Sequence, residues 1–172
     1  MDVVIRLANI KDSKEILKLI KELAEFENEL EKVELNLTDI KNHGFGKAPI
    51  FKCFVAEYLN SVVGIALFYR RYSTWKGPTY HLEDLIVTKT MKGKGIGTKL
   101  LYAFVNYANN LGVKRVEWEV LDWNKKAIDF YNKNGAKIFN DWKIVKMDSK
   151  SMINFLTKKV KQCRYLSSEV LL

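Results

Sequence analysis

At 172 residues, with a formal net charge of +9, 48% hydrophobic and 28% charged residues, the chain has the make-up of one soluble globular domain. Its two cysteines, Cys53 and Cys163, stand far apart and outside any CxxC pattern, which argues against a disulfide framework or a zinc site and fits a reducing cytoplasm. No stretch approaches the roughly 20 apolar residues of a membrane span, and Arg6, Lys11, Lys14 and Lys18 break up any N-terminal signal core, so no membrane partner is expected.

Residues 3–7 read as a short strand. Asp12 then precedes Ile16, Leu19, Ile20 and Leu23, which share one helical face, and Glu15 three residues later makes a capping-box start. A second helix is expected from Asn36 or Thr38 to about Gly44. Residues 51–58 and 62–72 are rich in β-formers and form a hairpin across Leu59, Asn60 and Ser61. Residues 80–88 make a fourth strand. Leu100, Leu101, Phe104, Tyr107, Ala108 and Leu111 trace a helix ending at Gly112. Residues 115–121 read as a fifth strand, 125–134 as a helix ended by Gly135, 142–147 as a last strand and 149–160 as a closing helix. This order calls for an α/β (α+β) fold, a mixed central sheet with helices on both faces. A single domain over 1–160 is expected, with a basic tail over 161–172. That tail, with Lys161 and Arg164, reads as a solvated run.

The sharpest local signal is Lys92-Gly93-Lys94-Gly95-Ile96-Gly97-Thr98, between a strand and an amphipathic helix. Glycine lets the backbone take positive φ and approach an anion closely, and the helix start behind it offers unpaired N–H groups to a phosphate. Lys92, Lys94 and Lys99 add charge. A P-loop needs GxxxxGK followed by Ser or Thr, and a dinucleotide fingerprint starting from Gly93 needs glycine where Thr98 stands, so both fail.

What the loop does match is the acetyl-CoA loop of the GNAT superfamily, Arg/Gln-x-x-Gly-x-Gly/Ala, with Lys92 at the first position. Four further segments fall in matching order: Tyr72-Ser73-Thr74-Trp75-Lys76-Gly77, Leu82-Glu83-Asp84-Leu85-Ile86-Val87, Val120-Leu121-Asp122-Trp123-Asn124 and Asp129-Phe130-Tyr131. Together they resemble the spermidine/spermine acetyltransferases and their thialysine-acetylating relatives, over about residues 3–147. The resemblance implies a sheet splayed between its fourth and fifth strands, with acetyl-CoA (or coenzyme A) in the cleft and no metal. Backbone at Leu85, Ile86 and Val87 would pair with the pantetheine arm, and Gly93, Lys94, Gly95, Ile96, Gly97 and Thr98 would wrap the pyrophosphate. Asn124, Lys125, Lys126 and Ala127 would border the thioester, with Tyr131 in the place of the general acid. A homodimer is implied too. Two features depart from the polyamine enzymes: Ser73 stands where they carry aspartate, and the loop before Trp142 is cut to Phe139-Asn140-Asp141.

Acyl transfer needs a neutral amine, yet an alkylammonium with a pKa around 10 is only about a thousandth neutral at pH 7, so a base is required. Glu83, in the strand beside the cofactor stretch, is the candidate, acting through a water. Neither cysteine forms a convincing nucleophile pair with His43 or His81. A cationic acceptor also calls for carboxylates: Asp84 adjoins Glu83, and Glu117 and Glu119 alternate onto one strand face. The resemblance places Phe26, Glu27, Ser73, Glu83, Glu117, Trp118 and Glu119 at substrate-contacting positions, and Trp75 offers a cation–π wall. The expected activity is N-acetylation of a small polyamine, diamine or lysine-like amine. The alternatives are a peptide or protein amine as acceptor, and a basic nucleic-acid-binding module, which the absence of a nucleic-acid motif disfavours.

Overall fold

The computed structural model describes residues 2–160; the expectations for Cys163 and the 161–172 tail lie outside the described residues. The chain forms two compact units, 1–119 and 120–172.

The first unit carries a five-stranded sheet in sequential order: β1 (Val4–Leu7), β2 (Lys52–Tyr58), β3 (Ser61–Ser73), β4 (Gly77–Val87) and β5 (Val116–Glu117). The first four strands are antiparallel and β5 runs parallel to β4, so the sheet is mixed. Leu59 and Asn60 both take positive φ, 48° and 60°, the geometry that lets a two-residue turn join β2 to β3 without splaying them.

Helices α1 (Ser13–Phe26) and α2 (Leu37–Phe45) cover one face. Ile16, Leu19 and Ile40 pack there on Cys53 and Val55 of β2, Ile65 and Leu67 of β3 and Ile86 of β4, all buried. Each such side chain contributes roughly 1.5–3 kcal/mol when fully buried. Helix α3 (Ile96–Asn110) covers the other face through an aromatic cluster. Phe68 lies with its ring centroid 5.1 Å from that of Phe104, 5.3 Å from Tyr107 and 5.7 Å from Tyr80. Glu22 of α1 accepts from the Thr88 hydroxyl at 2.9 Å and from the Lys89 N–H at 2.7 Å, which ties α1 to the segment leading into the glycine loop.

The start of α1 differs from the expected Asp12/Glu15 box. Asn9 caps a 3-10 turn over Ile10–Asp12 that precedes the helix, and Asp12 returns the bond by accepting from the Asn9 N–H at 2.7 Å. The Asp12 carboxylate is also gripped by two Arg6 nitrogens at 2.8 Å each. It is therefore committed upstream, and Glu15 instead faces Lys18 at 3.6 Å.

The second unit holds α4 (Lys125–Lys133), started by the Asn124 side chain accepting from the Ala127 N–H at 3.2 Å, and α5 (Ser149–Val160). Residues 142–147, expected as a strand, are not one. An extended segment gains ladder bonds only beside another strand, and the described residues of this unit contain none. The fifth strand is also shorter than expected, two residues in place of seven.

Candidate active site

That shortening has a local cause in β4. Along β3, Leu67 pairs with Asp84 and the next residue, Phe68, pairs with Leu82, so Glu83 is an extra residue, a β-bulge. On the opposite edge of β4, pairing with β5 runs through Tyr80↔Val116 and His81↔Glu117 and then stops. The ladder therefore ends where the bulge begins. Residues 82–87 of β4, including Leu85, Ile86 and Val87, keep a backbone edge with no strand beside it among the described residues, while the Ile86 and Val87 side chains are buried in the core. The sheet is splayed between its fourth and fifth strands, and the carboxylate of Glu83 stands at the fork.

The glycine loop follows directly. Gly93 and Gly95 take φ of +78° and +77°, a region costly for any residue with a Cβ. Gly95 is the N-cap of α3 and has no side chain with which to cap it. The N–H groups of Ile96, Gly97 and Thr98 thus have no intrahelical acceptor and face the positive end of the helix dipole. The Ile96 side chain is in the core, which leaves its backbone N–H as the group it can offer to a ligand. The Lys92 ammonium lies 4.7 Å from the centroid of the Phe26 ring, linking the loop to the end of α1. Lys94 rests on the Met91 sulfur at 3.4 Å. Uncapped donors, a loop that admits close approach and flanking lysines together fit a pyrophosphate-bearing cofactor.

Beside Glu83 in β4 stands Asp84, and Glu27 at the end of α1 acts on the same carboxyl. Asp84 is half-buried, and its carboxyl is pushed up to about 7, first by burial and then by the charges of Glu83 and Glu27. Burial in the core likewise raises the Cys53 thiol, with Asp84 adding to the effect, so this cysteine is no nucleophile. The Tyr69 hydroxyl hydrogen-bonds to Glu83; burial and that bond hold it up to about 12.

The other expected substrate residues meet different surroundings. Glu117 is clamped between Arg71, at 3.0 Å, and Arg115, at 2.9 Å, so an incoming ammonium must compete with two guanidinium groups for it. Glu119 is exposed and acts electrostatically on Tyr69, and Trp118 is half-buried. The Ser73 hydroxyl accepts from the Trp75 and Lys76 N–H groups, both at 3.3 Å, and so closes the β3–β4 turn. Trp75 is exposed and borders a surface cavity that also carries Arg70, Lys76 and Lys114, a cationic setting. In the second unit Tyr131 is buried, which pushes its hydroxyl up to about 12, and Lys125 and Lys126 are exposed at the first turn of α4.

Sequence reasoning passes over Tyr69 and Arg71 and treats His81 only as a partner for cysteine. The signal available was alternation: Tyr69 is directly opposite His81 across the β3–β4 ladder, and His81 is opposite Glu117. Among the described residues no group of three or more side chains is placed to hold a metal ion, and no helix is long and apolar enough to cross a membrane.

A mixed sheet that opens at a bulged β4, followed by a glycine loop at an uncapped helix start, defines an acyl-CoA-binding acetyltransferase fold. Residues 14–136 match the model of the Acetyltransferase (GNAT) family, and the chain belongs to that family; it is an acetyl-CoA-dependent N-acetyltransferase. A thialysine N-epsilon-acetyltransferase of Bos taurus is 37% identical over 161 residues, spanning 87% of this chain and 95% of its own. A spermidine/spermine N(1)-acetyltransferase-like protein 1 of Homo sapiens is 37% identical over 77% of this chain and 20% of its own length. Among solved structures, an integron cassette protein of V. cholerae superposes with a TM-score of 0.74 at 21% identity, over 92% of this chain and 99% of that one.

Proposed function

We propose that the enzyme acetylates a primary amine of a small polyamine, diamine or lysine-like substrate by direct attack, with Glu83 as base through a water and Tyr131 as general acid. The observation that carries the substrate class is the Asp84 carboxyl, pushed up to about 7 by burial first and then by the charges of Glu83 and Glu27. Such a site is relieved by a cation, and an ammonium entering it lowers the cost of ionising Asp84. The names of the two relatives, one a thialysine and one a spermidine/spermine acetyltransferase-like protein, agree with an amine of that kind.

Acetyl-CoA supplies the activated thioester. The backbone donors of Ile96, Gly97 and Thr98, with Gly93, Gly95 and the flanking lysines Lys92 and Lys94, are the groups we assign to its pyrophosphate. The open β4 edge at Leu85, Ile86 and Val87 is assigned to the pantetheine arm, and a backbone N–H there to the carbonyl oxygen. Asn124, Lys125, Lys126 and Ala127 are assigned to the thioester end. Glu83, half exposed at the bulge, is reachable by a water and by the ammonium whose proton it takes. Tyr131 keeps its proton at neutral pH, as a group that must return one to the departing sulfur requires. Phe26, Glu27 and Asp84 are proposed as amine contacts, and Ser73, Trp75, Glu117, Trp118 and Glu119 as the outer part of the substrate site. A cytoplasmic homodimer is the proposed form.

Release of free coenzyme A from acetyl-CoA is the test, run against spermidine, spermine, putrescine, thialysine, lysine and a basic peptide. Turnover with a small amine supports the reading and sorts polyamine from amino-acid acceptors. Turnover with the peptide alone makes the enzyme a protein acetyltransferase. No turnover with any acceptor, together with no acetyl-CoA binding, refutes the assignment.

A further inference from the structure

We propose that His81 is a positioning residue for Glu83: its imidazole, with the proton kept on Nε2 by Arg71, sets the orientation of the carboxylate that takes the amine's proton. The inference rests on the reading of Glu83 as base.

The geometry is a chain of charges across three strands. Arg71 of β3 places a guanidinium nitrogen 3.5 Å from His81 Nδ1. A guanidinium can only donate, so Nδ1 is the ring's acceptor and the ring hydrogen sits on Nε2. Nε2 faces Glu83 Oε2 at 3.7 Å, slightly beyond hydrogen-bond range. Glu83 is the extra residue of the bulge and its side chain is half exposed, so a turn of that side chain closes the gap once an amine and its water arrive.

His81 is held from every side. The Tyr69 ring lies against it with centroids 5.2 Å apart and planes 33° from parallel, and the Tyr69 hydroxyl reaches the same Glu83. Arg71 is itself anchored at 3.0 Å by Glu117 of β5, which Arg115 holds at 2.9 Å. The imidazole is buried, at 7% exposure, while the Glu83 side chain is 52% exposed. A rigid donor beneath a solvent-facing carboxylate can orient it without competing for the substrate.

The experiment compares His81→Phe, which keeps a ring but no donor, and His81→Gln, whose amide donor reaches close to the Nε2 position, with Glu83→Gln. Each is assayed with acetyl-CoA and the best acceptor of the amine panel. Expected are a loss of kcat in Glu83→Gln of about 100-fold or more, a loss of roughly tenfold in His81→Phe with the KM for acetyl-CoA within about twofold, and recovery of most of that loss in His81→Gln. An unchanged kcat in His81→Phe beside an inactive Glu83→Gln overturns the positioning role and leaves the base assignment standing. Equal losses in both His81 variants reduce the residue to a structural one. Full activity in Glu83→Gln overturns the base assignment and this inference with it. Should His81→Phe fail to fold, long-range 1H–15N spectra of the unaltered enzyme decide. The chain has only two histidines, His43 and His81, so the His81→Gln spectrum assigns them. The Nε2–H tautomer is expected at His81, and the Nδ1–H tautomer overturns the proposal.

Discussion

Replacing Asp84 with asparagine should make the protein more stable at alkaline pH, by an amount that the site itself sets. An ordinary aspartate titrates at 3.8 and this one near 7, a gap of about three pH units. At 1.36 kcal/mol per unit the ionised carboxylate costs the fold up to about 4 kcal/mol. Because the folded-state value is raised, the folded protein binds the extra proton between pH 3.8 and 7. No penalty exists below that window, and stability falls as the pH rises through it. Urea unfolding of both proteins from pH 4 to 8.5 measures the effect. The advantage of Asp84→Asn should grow across the window by a few kcal/mol and level off above about pH 8. Adding a saturating diamine should shrink it, because the bound cation stabilises the carboxylate it faces. A stability difference that stays constant from pH 4 to 8.5 would refute the argument that burial and the neighbouring Glu83 and Glu27 charges act on this group.

Gly95→Ala places a Cβ at φ +77° with no atom within 4 Å, so its cost is backbone strain of about 1–2 kcal/mol without a clash. The KM for acetyl-CoA should rise about tenfold, while the amine KM stays put. Tyr131→Phe should lower kcat by about 100-fold or more with little change in either KM, as expected for removal of a general acid; stopped-flow measurement of coenzyme A release checks it. Asp12→Ala removes a carboxylate that two Arg6 nitrogens hold below the usual range, together with the Asn9 cap. It should cost about 2 kcal/mol at pH 7. Since the folded-state value is lowered, that contribution exists above the ordinary carboxylate range and fades as the pH falls through it, so the deficit of the variant should shrink toward pH 3 in urea titrations.

Much of the architecture was legible because it depends on neighbours in the chain. Ile16 and Leu19 repeat at helical spacing and face the sheet as expected. Leu59-Asn60 closes the hairpin, and Gly93 and Gly95 adopt the positive φ that only glycine takes cheaply. The glycine loop was legible in the same measure, while Glu83, Asp84 and the end of α1 came from the order of the motifs that the family resemblance rests on and stand as the proposed site.

Tertiary structure decided what depends on pairing across distance. The fifth strand stops at Glu117 because the β4 ladder meets a bulge at Glu83, and no periodicity in 115–121 records where a partner edge ends. Residues 142–147 were expected as a strand yet are not one, since a strand exists only beside another. Asp12 looked free to cap α1 until Arg6 and Asn9 claimed it. Glu117 and Glu119 share one alternation, but one is clamped by two arginines and the other is exposed. Sequence sets which side chains a strand can offer to a face. The cross-strand neighbours of that face determine whether a carboxylate there is spent on an ion pair or left for a substrate.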